Sequence, residues 1–178
     1  MKKMKIWAHR GASGYAPENT MEAFSEAVRR KADGIELDVQ LTKDGEIVVI
    51  HDEKLERVSN GTGWVKDYTL KELRKLNFNK TFPEQGSARI PTLKEVYELM
   101  KKEDMLVNVE LKTSIVFYEG LVDKVLDLAA RMRMESWMHL LMGNVWVWMR
   151  FILYMHICGI PVFWNSAGRR SCLCMCGP

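Results

Sequence analysis

The chain of 178 residues carries 26 Lys and Arg against 23 Asp and Glu, a formal net charge of +3, and is 47% hydrophobic. That length suits one domain with a substantial core, and nothing in it argues for two. Residues 1–135 balance 23 basic against 23 acidic side chains, which argues against a nucleic-acid binder, whose basic groups cluster on one face.

The opening Met1-Lys2-Lys3-Met4-Lys5 is basic enough to begin a signal peptide. Three uncharged residues then lead straight to His9-Arg10, so the apolar region is missing, and the expected location is cytoplasmic. Asn19 can cap a helix over residues 20–31, with Glu22 three positions on and Phe24, Ala27 and Val28 as its buried stripe. From Gly34 to Thr42 the chain alternates strictly. Ile35, Leu37, Val39 and Leu41 take one face of a strand, and Glu36, Asp38 and Gln40 the other. Ile47 to Ile50 is a continuous apolar run ending at His51-Asp52, which predicts a strand buried on both faces with polar groups at its C-terminal end.

Residues 53–69, with Ser59-Asn60-Gly61-Thr62-Gly63, read as a turn-rich excursion. Thr69-x-x-Glu72 and Thr92-x-x-Glu95 are capping boxes, the second followed by Leu93, Val96, Tyr97 and Met100 at helical spacing. Leu106 to Lys112 alternates again, with Asn108, Glu110 and Lys112 on the polar face. Strands alternating with helices, with polar groups where strands end, predict a parallel α/β fold; periodicity does not separate an eight-stranded barrel from an open sheet.

From Ser136 the composition changes. Residues 136–178 hold three arginines, no lysine and no acid, although the acidic density of the first 135 residues would place about seven acids there. Four of the six tryptophans fall in this stretch, with all four cysteines, Cys158, Cys172, Cys174 and Cys176, so residues 1–135 have no disulfide framework. The Cys172-x-Cys174-x-Cys176 spacing is wrong for ordinary zinc ligation. The break predicts two parts, 1–135 and an aberrant tail 136–178, and favours a disrupted reading frame near residues 131–137. A membrane-associating segment over 137–164 is the weaker reading, because Arg150 at its centre makes a spanning helix costly. A divergent C-terminus is the third, hinted at by Gly159-Ile160-Pro161-Val162-Phe163-Trp164.

The strand ends supply an inventory suited to cleaving a phosphodiester, which needs charge neutralisation, a base for the nucleophile and an acid for the leaving oxygen. Glu36, Asp38 and Glu110 are hard oxygen ligands matching Mg²⁺ or Ca²⁺. His9 and His51 titrate near neutrality, and Arg10 and Lys112 can grip non-bridging phosphate oxygens. Taken singly, each has a plainer reading: a histidine at a strand end is usually structural, and a Glu-x-Asp pair is usually solvated. Jointly they are harder to dismiss, since an α/β core does not carry carboxylates inward without a cation to meet them. Asp52 reads as an orienting or structural residue, and Glu18-Asn19 as fixing the first loop.

An ordered set of motifs runs from about Lys5 to about Ala130. It comprises His9-Arg10-Gly11 through Pro17-Glu18-Asn19-Thr20, Ala32-Asp33-Gly34-Ile35-Glu36-Leu37-Asp38-Val39, Thr42-Lys43-Asp44-Gly45, His51-Asp52, Asn60-Gly61-Thr62-Gly63, Ile90-Pro91-Thr92-Leu93 and Glu110-Leu111-Lys112. Together these resemble the glycerophosphodiester phosphodiesterase family. The resemblance implies a (β/α)8 TIM barrel with a small insertion after an early strand, and hydrolysis of glycerophosphodiesters to glycerol 3-phosphate and an alcohol. It also implies a divalent cation at Glu36, Asp38 and Glu110, an acid/base pair of His9 and His51, phosphate contacts from Arg10 and Lys112, and a glycerol hydroxyl as internal nucleophile. With the tail outside the resemblance, the barrel is incomplete, and an open edge predicts impaired folding or activity. Two alternatives stay open: a phospholipase D-like barrel enzyme, and a non-catalytic remnant that binds phosphate compounds or a protein.

Overall fold

The structure, a computed structural model, describes residues 5–134 together with the backbone of 136–142 and 145–151. Its first unit is strand β1 (Trp7–His9), helix α1 (Met21–Arg29) and strand β2 (Gly34–Leu41). Helix α1 starts one residue later than the sequence suggests, because the Thr20 hydroxyl accepts the Ala23 N–H at 3.3 Å. Asn19 is not the cap: it sits in the left-handed region, φ 56°, and its side chain is spent elsewhere. The apolar face of α1, with Ala23, Phe24 and Ala27, packs against the sheet.

All eight residues of β2 are buried, which makes it the centre of the structure. Strand β4 (Leu106–Leu111) runs parallel to it along one edge, pairing Gly34 with Leu106 and continuing to Val39 with Leu111. Along the other edge β1 pairs in parallel with Gly34–Glu36, and strand β3 (Ile47–Val49) pairs antiparallel with Val39–Leu41. The antiparallel sense of β3 departs from the all-parallel expectation. Its cause is the short connection: Gly45 N–H bonds back to Thr42 O at 2.9 Å with Gly45 at φ 77°, forming a tight turn. A parallel crossover needs about a dozen residues or more, which this turn does not have. His51 therefore lies two residues past the end of β3, on a chain that has doubled back beside Asp38, where Ile50 N–H donates to Asp38 O at 2.9 Å.

The insertion that follows folds around its own core of Leu55, Val58, Val65, Leu73 and Phe78, with Val48, Ile50 and Ile90 joining from the sheet side. It contains a 3-10 turn at Val65–Asp67 and the short helix α2 (Leu70–Leu73), and both expected capping boxes form, Thr69 with Glu72 and Thr92 with Glu95. Helix α3 (Leu93–Lys102) buries Leu93, Val96, Tyr97 and Met100, and helix α4 (Leu121–Met132) buries Leu121, Val125 and Ala129, both in the main core with β2 and β4.

Strand β5 (Ser136–Met142) extends the sheet in parallel beside β4, pairing Val107 with Ser136 through Leu111 with Leu140, and β6 (Val145–Phe151) returns antiparallel to it. Strand pairing thus continues across the compositional break at residue 135. The order β1-β2-β4-β5 with intervening helices is an incomplete (β/α)8-barrel arrangement. Among the described residues no helix is long and apolar enough to cross a membrane. The segment 152–178, with Cys158, Cys172, Cys174 and Cys176, lies outside the described residues, as do Glu135, Gly143, Asn144 and the side chains of 136–151.

Candidate active site

Alternation along β2 places Glu36 and Asp38 on one face of a fully buried strand, and parallel register then selects their neighbours. His9 of β1 aligns with Glu36, and Glu110 of β4 aligns with Asp38. Adjacent strands lie about 4.8 Å apart, so aligned carboxylates meet. Ligand oxygens of Glu36, Asp38 and Glu110 all come within 4.8 Å of one another.

Two cations reach this trio. Arg10, just past β1, has φ 57°, which aims its backbone N–H at Glu36 Oε2, 3.0 Å away. Its guanidinium lies 3.4 Å from Asp38 Oδ2 through Nε and 3.0 Å from Glu18 Oε1 through Nη1. Gly11 at φ 76° continues the turn, and a Cβ there would meet the Ala23 backbone at 2.8 Å, so the loop can press on α1 only without a side chain. Lys112, one residue past β4, donates to Glu110 Oε1 at 2.8 Å and stands 3.5 Å from Asp38 Oδ1.

The imidazoles differ in support. His9 is 68% exposed in its side chain, with Nε2 3.7 Å from Glu36 Oε2. His51 is half-buried, and its Nδ1 is 2.6 Å from Asp52 Oδ1. Its backbone carbonyl accepts from Gln40 Nε2 at 2.9 Å, and Gln40 Oε1 accepts from the Tyr118 hydroxyl at 2.9 Å. Asp52 reaches the other side of the site through Arg57, which also holds Glu18, which in turn holds Arg10. The seven residues singled out in the sequence therefore lie in one connected region. His9, Arg10 and Lys112 stand against the carboxylate trio, and His51 is tied to it through the Asp52–Arg57–Glu18–Arg10 chain.

The electrostatics show which part is incomplete. Burial pushes the Glu36 carboxyl up to about 8, helped by the charges of Asp38 and Glu110 and only partly opposed by the Arg10 N–H. Asp38 is fully buried, and its Oδ1 has no hydrogen-bond partner, only an ion pair with Lys112 Nζ at 3.5 Å. A buried carboxylate cluster with a raised proton affinity and an orphaned oxygen fits a hard divalent cation. In the neighbouring cluster burial also acts against charge, yet hydrogen bonds from Arg57 and His51 hold Asp52 down at about 2, and Arg57 with Arg10 likewise holds Glu18 below the usual range.

Asn19, Gln40, Arg57 and Tyr118 escaped the sequence reading as site residues. Asn19 Nδ2 donates to Asp38 Oδ2 at 2.9 Å, turning the residue assigned to a helix cap into the orienter of a carboxylate. Gln40 was detectable as the third polar residue on the inward face of β2; Arg57 and Tyr118 had no local signal.

The profile described as "Glycerophosphoryl diester phosphodiesterase family" matches residues 9–140. A glycerophosphodiester phosphodiesterase of Caldanaerobacter subterraneus subsp. tengcongensis is 50% identical over 135 residues, covering 75% of this chain and 56% of the relative. One from Bacillus subtilis is 45% identical over 129 residues, covering 67% of this chain and 43% of the relative. The chain thus spans about half the length of these relatives. Among solved structures, glycerophosphodiester phosphodiesterase from Agrobacterium tumefaciens superposes with a TM-score of 0.72 at 34% identity, over 80% of this chain and 60% of that one. An Oleispira antarctica phosphodiesterase in complex with the product sn-glycerol-3-phosphate gives 0.68 at 30% identity, over 79% and 58%.

Proposed function

Because the chain belongs to the glycerophosphoryl diester phosphodiesterase family, we propose that its site hydrolyses glycerophosphodiesters, the deacylated head groups of lipids, to glycerol 3-phosphate and an alcohol. The observation that carries this reading is the convergence of Glu36, Asp38 and Glu110 within 4.8 Å beside Arg10 and Lys112. The product bound to the Oleispira antarctica relative supports the substrate class.

In this reading Glu36, Asp38 and Glu110 hold a divalent cation, Mg²⁺ or Ca²⁺, which when bound supplies positive charge beside the scissile phosphate. Arg10 and Lys112 neutralise the non-bridging oxygens, the first as a planar fork and the second as a point charge. One imidazole of the His9 and His51 pair takes the proton of the neighbouring glycerol hydroxyl as that oxygen attacks phosphorus; the other protonates the departing alkoxide as its P–O bond breaks. The same pair in exchanged roles adds water across the resulting cyclic phosphodiester, releasing glycerol 3-phosphate. No serine or cysteine nucleophile is required.

The test is turnover of glycerophosphocholine by the folded chain, with EDTA and after return of Mg²⁺ or Ca²⁺. Cation-dependent release of glycerol 3-phosphate is the expected result. Tight glycerol 3-phosphate binding without turnover would replace hydrolysis by phosphate-ligand binding, and cleavage of intact sphingomyelin in preference to the deacylated diester would favour the phospholipase D-like alternative.

A further inference from the structure

Arg57 belongs to none of the strand ends; it projects from the insertion and connects two loops that are far apart in sequence. Its Nη1 and Nη2 donate to Glu18 Oε2 and Oε1 at 2.8 Å each, while Nε and Nη2 donate to Asp52 Oδ2 and Oδ1 at 2.5 and 3.0 Å. All but one of the guanidinium's N–H donors are thus spent on carboxylates, which leaves it unable to fork onto a phosphate. Each carboxylate passes the constraint on: Glu18 Oε1 accepts from Arg10 Nη1 at 3.0 Å, and Asp52 Oδ1 faces His51 Nδ1 at 2.6 Å.

We propose that Arg57 is a positioning residue, a clasp that fixes Asp52 and Glu18 so that His51 presents Nε2 to the reacting oxygens and Arg10 presents its fork to the phosphate. The proposal rests on the phosphodiesterase reading for its functional meaning, but its structural content stands apart from turnover. A carboxylate can only accept, so Asp52 held ionised by Arg57 requires the proton of neutral His51 to sit on Nδ1. That leaves Nε2 unprotonated and able to take a proton. Without Arg57, Glu18 and Asp52 lose the cation they share, and Asp52 is free to swing away from the ring. The backbone of His51 is held independently by Gln40 and Tyr118, so loss of the clasp releases the ring rather than the chain.

The experiment is ¹⁵N NMR of the His51 ring in the folded full chain, for the parent, Arg57→Met and Arg57→Lys, with thermal melts as the check on folding. The parent is expected to show protonated Nδ1 and unprotonated Nε2. In Arg57→Met both shifts should move toward the average of two tautomers, and kcat on glycerophosphocholine should fall about tenfold or more, as for other residues that orient a reacting group through a partner. Arg57→Lys, which keeps charge but loses the fork, should lie between, and it decides the matter if Arg57→Met does not fold. Unchanged His51 shifts in a folded variant would overturn the clasp, whatever the activity. A fixed tautomer in a parent chain with no turnover would overturn the phosphodiesterase reading and leave the clasp standing.

Discussion

Two charged clusters meet at the top of the sheet, and they answer the cost of buried charge in opposite ways. Burial, with the charge of Asp38 and Glu110 that Arg10 and Lys112 do not fully neutralise, drives Glu36 up to about 8, and Asp38 Oδ1 is left without a hydrogen-bond donor. The Arg57 cluster, with two carboxylates, is closed on itself: each oxygen of Asp52 and Glu18 has a cationic or imidazole partner, and Asp52 is held at about 2. Desolvation opposes ionisation in both. The first cluster is open to completion by a cation, and the second is complete as folded. A strand-borne cluster thus reads as a receptor and a loop-borne one as its brace.

The sharpest way to break this contrast is to delete the imidazoles and the trio. His51→Ala or His9→Ala should each cost about 10²–10⁴-fold in turnover of glycerophosphocholine, the range for a lost general acid or base; a loss below tenfold at both would remove the proposed pair. Glu36→Gln should abolish cation-dependent activity and the cation-induced rise in Tm, while leaving the cation-free protein at pH 7 as stable as the parent, since Glu36 already holds its proton there. A retained Tm shift with Mg²⁺ or Ca²⁺ would show that the cation binds elsewhere.

The pH dependence separates the clusters by sign. With the Glu36 carboxyl raised from 4.5 to about 8, the folded state binds the proton more tightly than the unfolded state, so cation-free stability should fall as pH rises through that window, by about a few kcal/mol. Added Mg²⁺ or Ca²⁺ should flatten the fall, read by denaturant melts across the window. Asp52, depressed from 3.8 to about 2, works the other way: its contribution is present above 3.8 and lost as pH falls toward 2, a smaller change of about 1–2 kcal/mol. Parallel pH trends in parent and Asp52→Asn below pH 4 would contradict it. Remote from both clusters, Thr92→Ala should cost only about 1 kcal/mol through the lost cap of α3, with activity unchanged.

Local signals served the reading well where one element carries the information. Alternation in Gly34–Thr42 and Leu106–Lys112 located Glu36, Asp38 and Glu110, and the two Thr-x-x-Glu boxes marked real helix starts. The parallel sheet that the alternation of strands and helices predicts admits one antiparallel member, β3, because Thr42-Lys43-Asp44-Gly45 is short enough for a hairpin and too short for a crossover. Asn19 was misassigned because Asn and Thr both cap helices, and the choice between them fell to Asp38, a partner 19 residues away.

The sequence by itself determined the chemistry available, namely three carboxylates on the polar faces of two alternating strands with two imidazoles and two cations at or just past strand ends, since residue type and period-two alternation are properties of a single segment. Tertiary structure alone decided which of them meet. Parallel register set Glu110 opposite Asp38, the β2–β3 hairpin carried His51 back beside the site, and Arg57 came in from the insertion to tie Asp52 to Glu18. The contacts of Arg57 with Glu18 and of Glu110 with Asp38 join segments 39 or more residues apart, and their geometry depends on pairing and packing that no local pattern encodes.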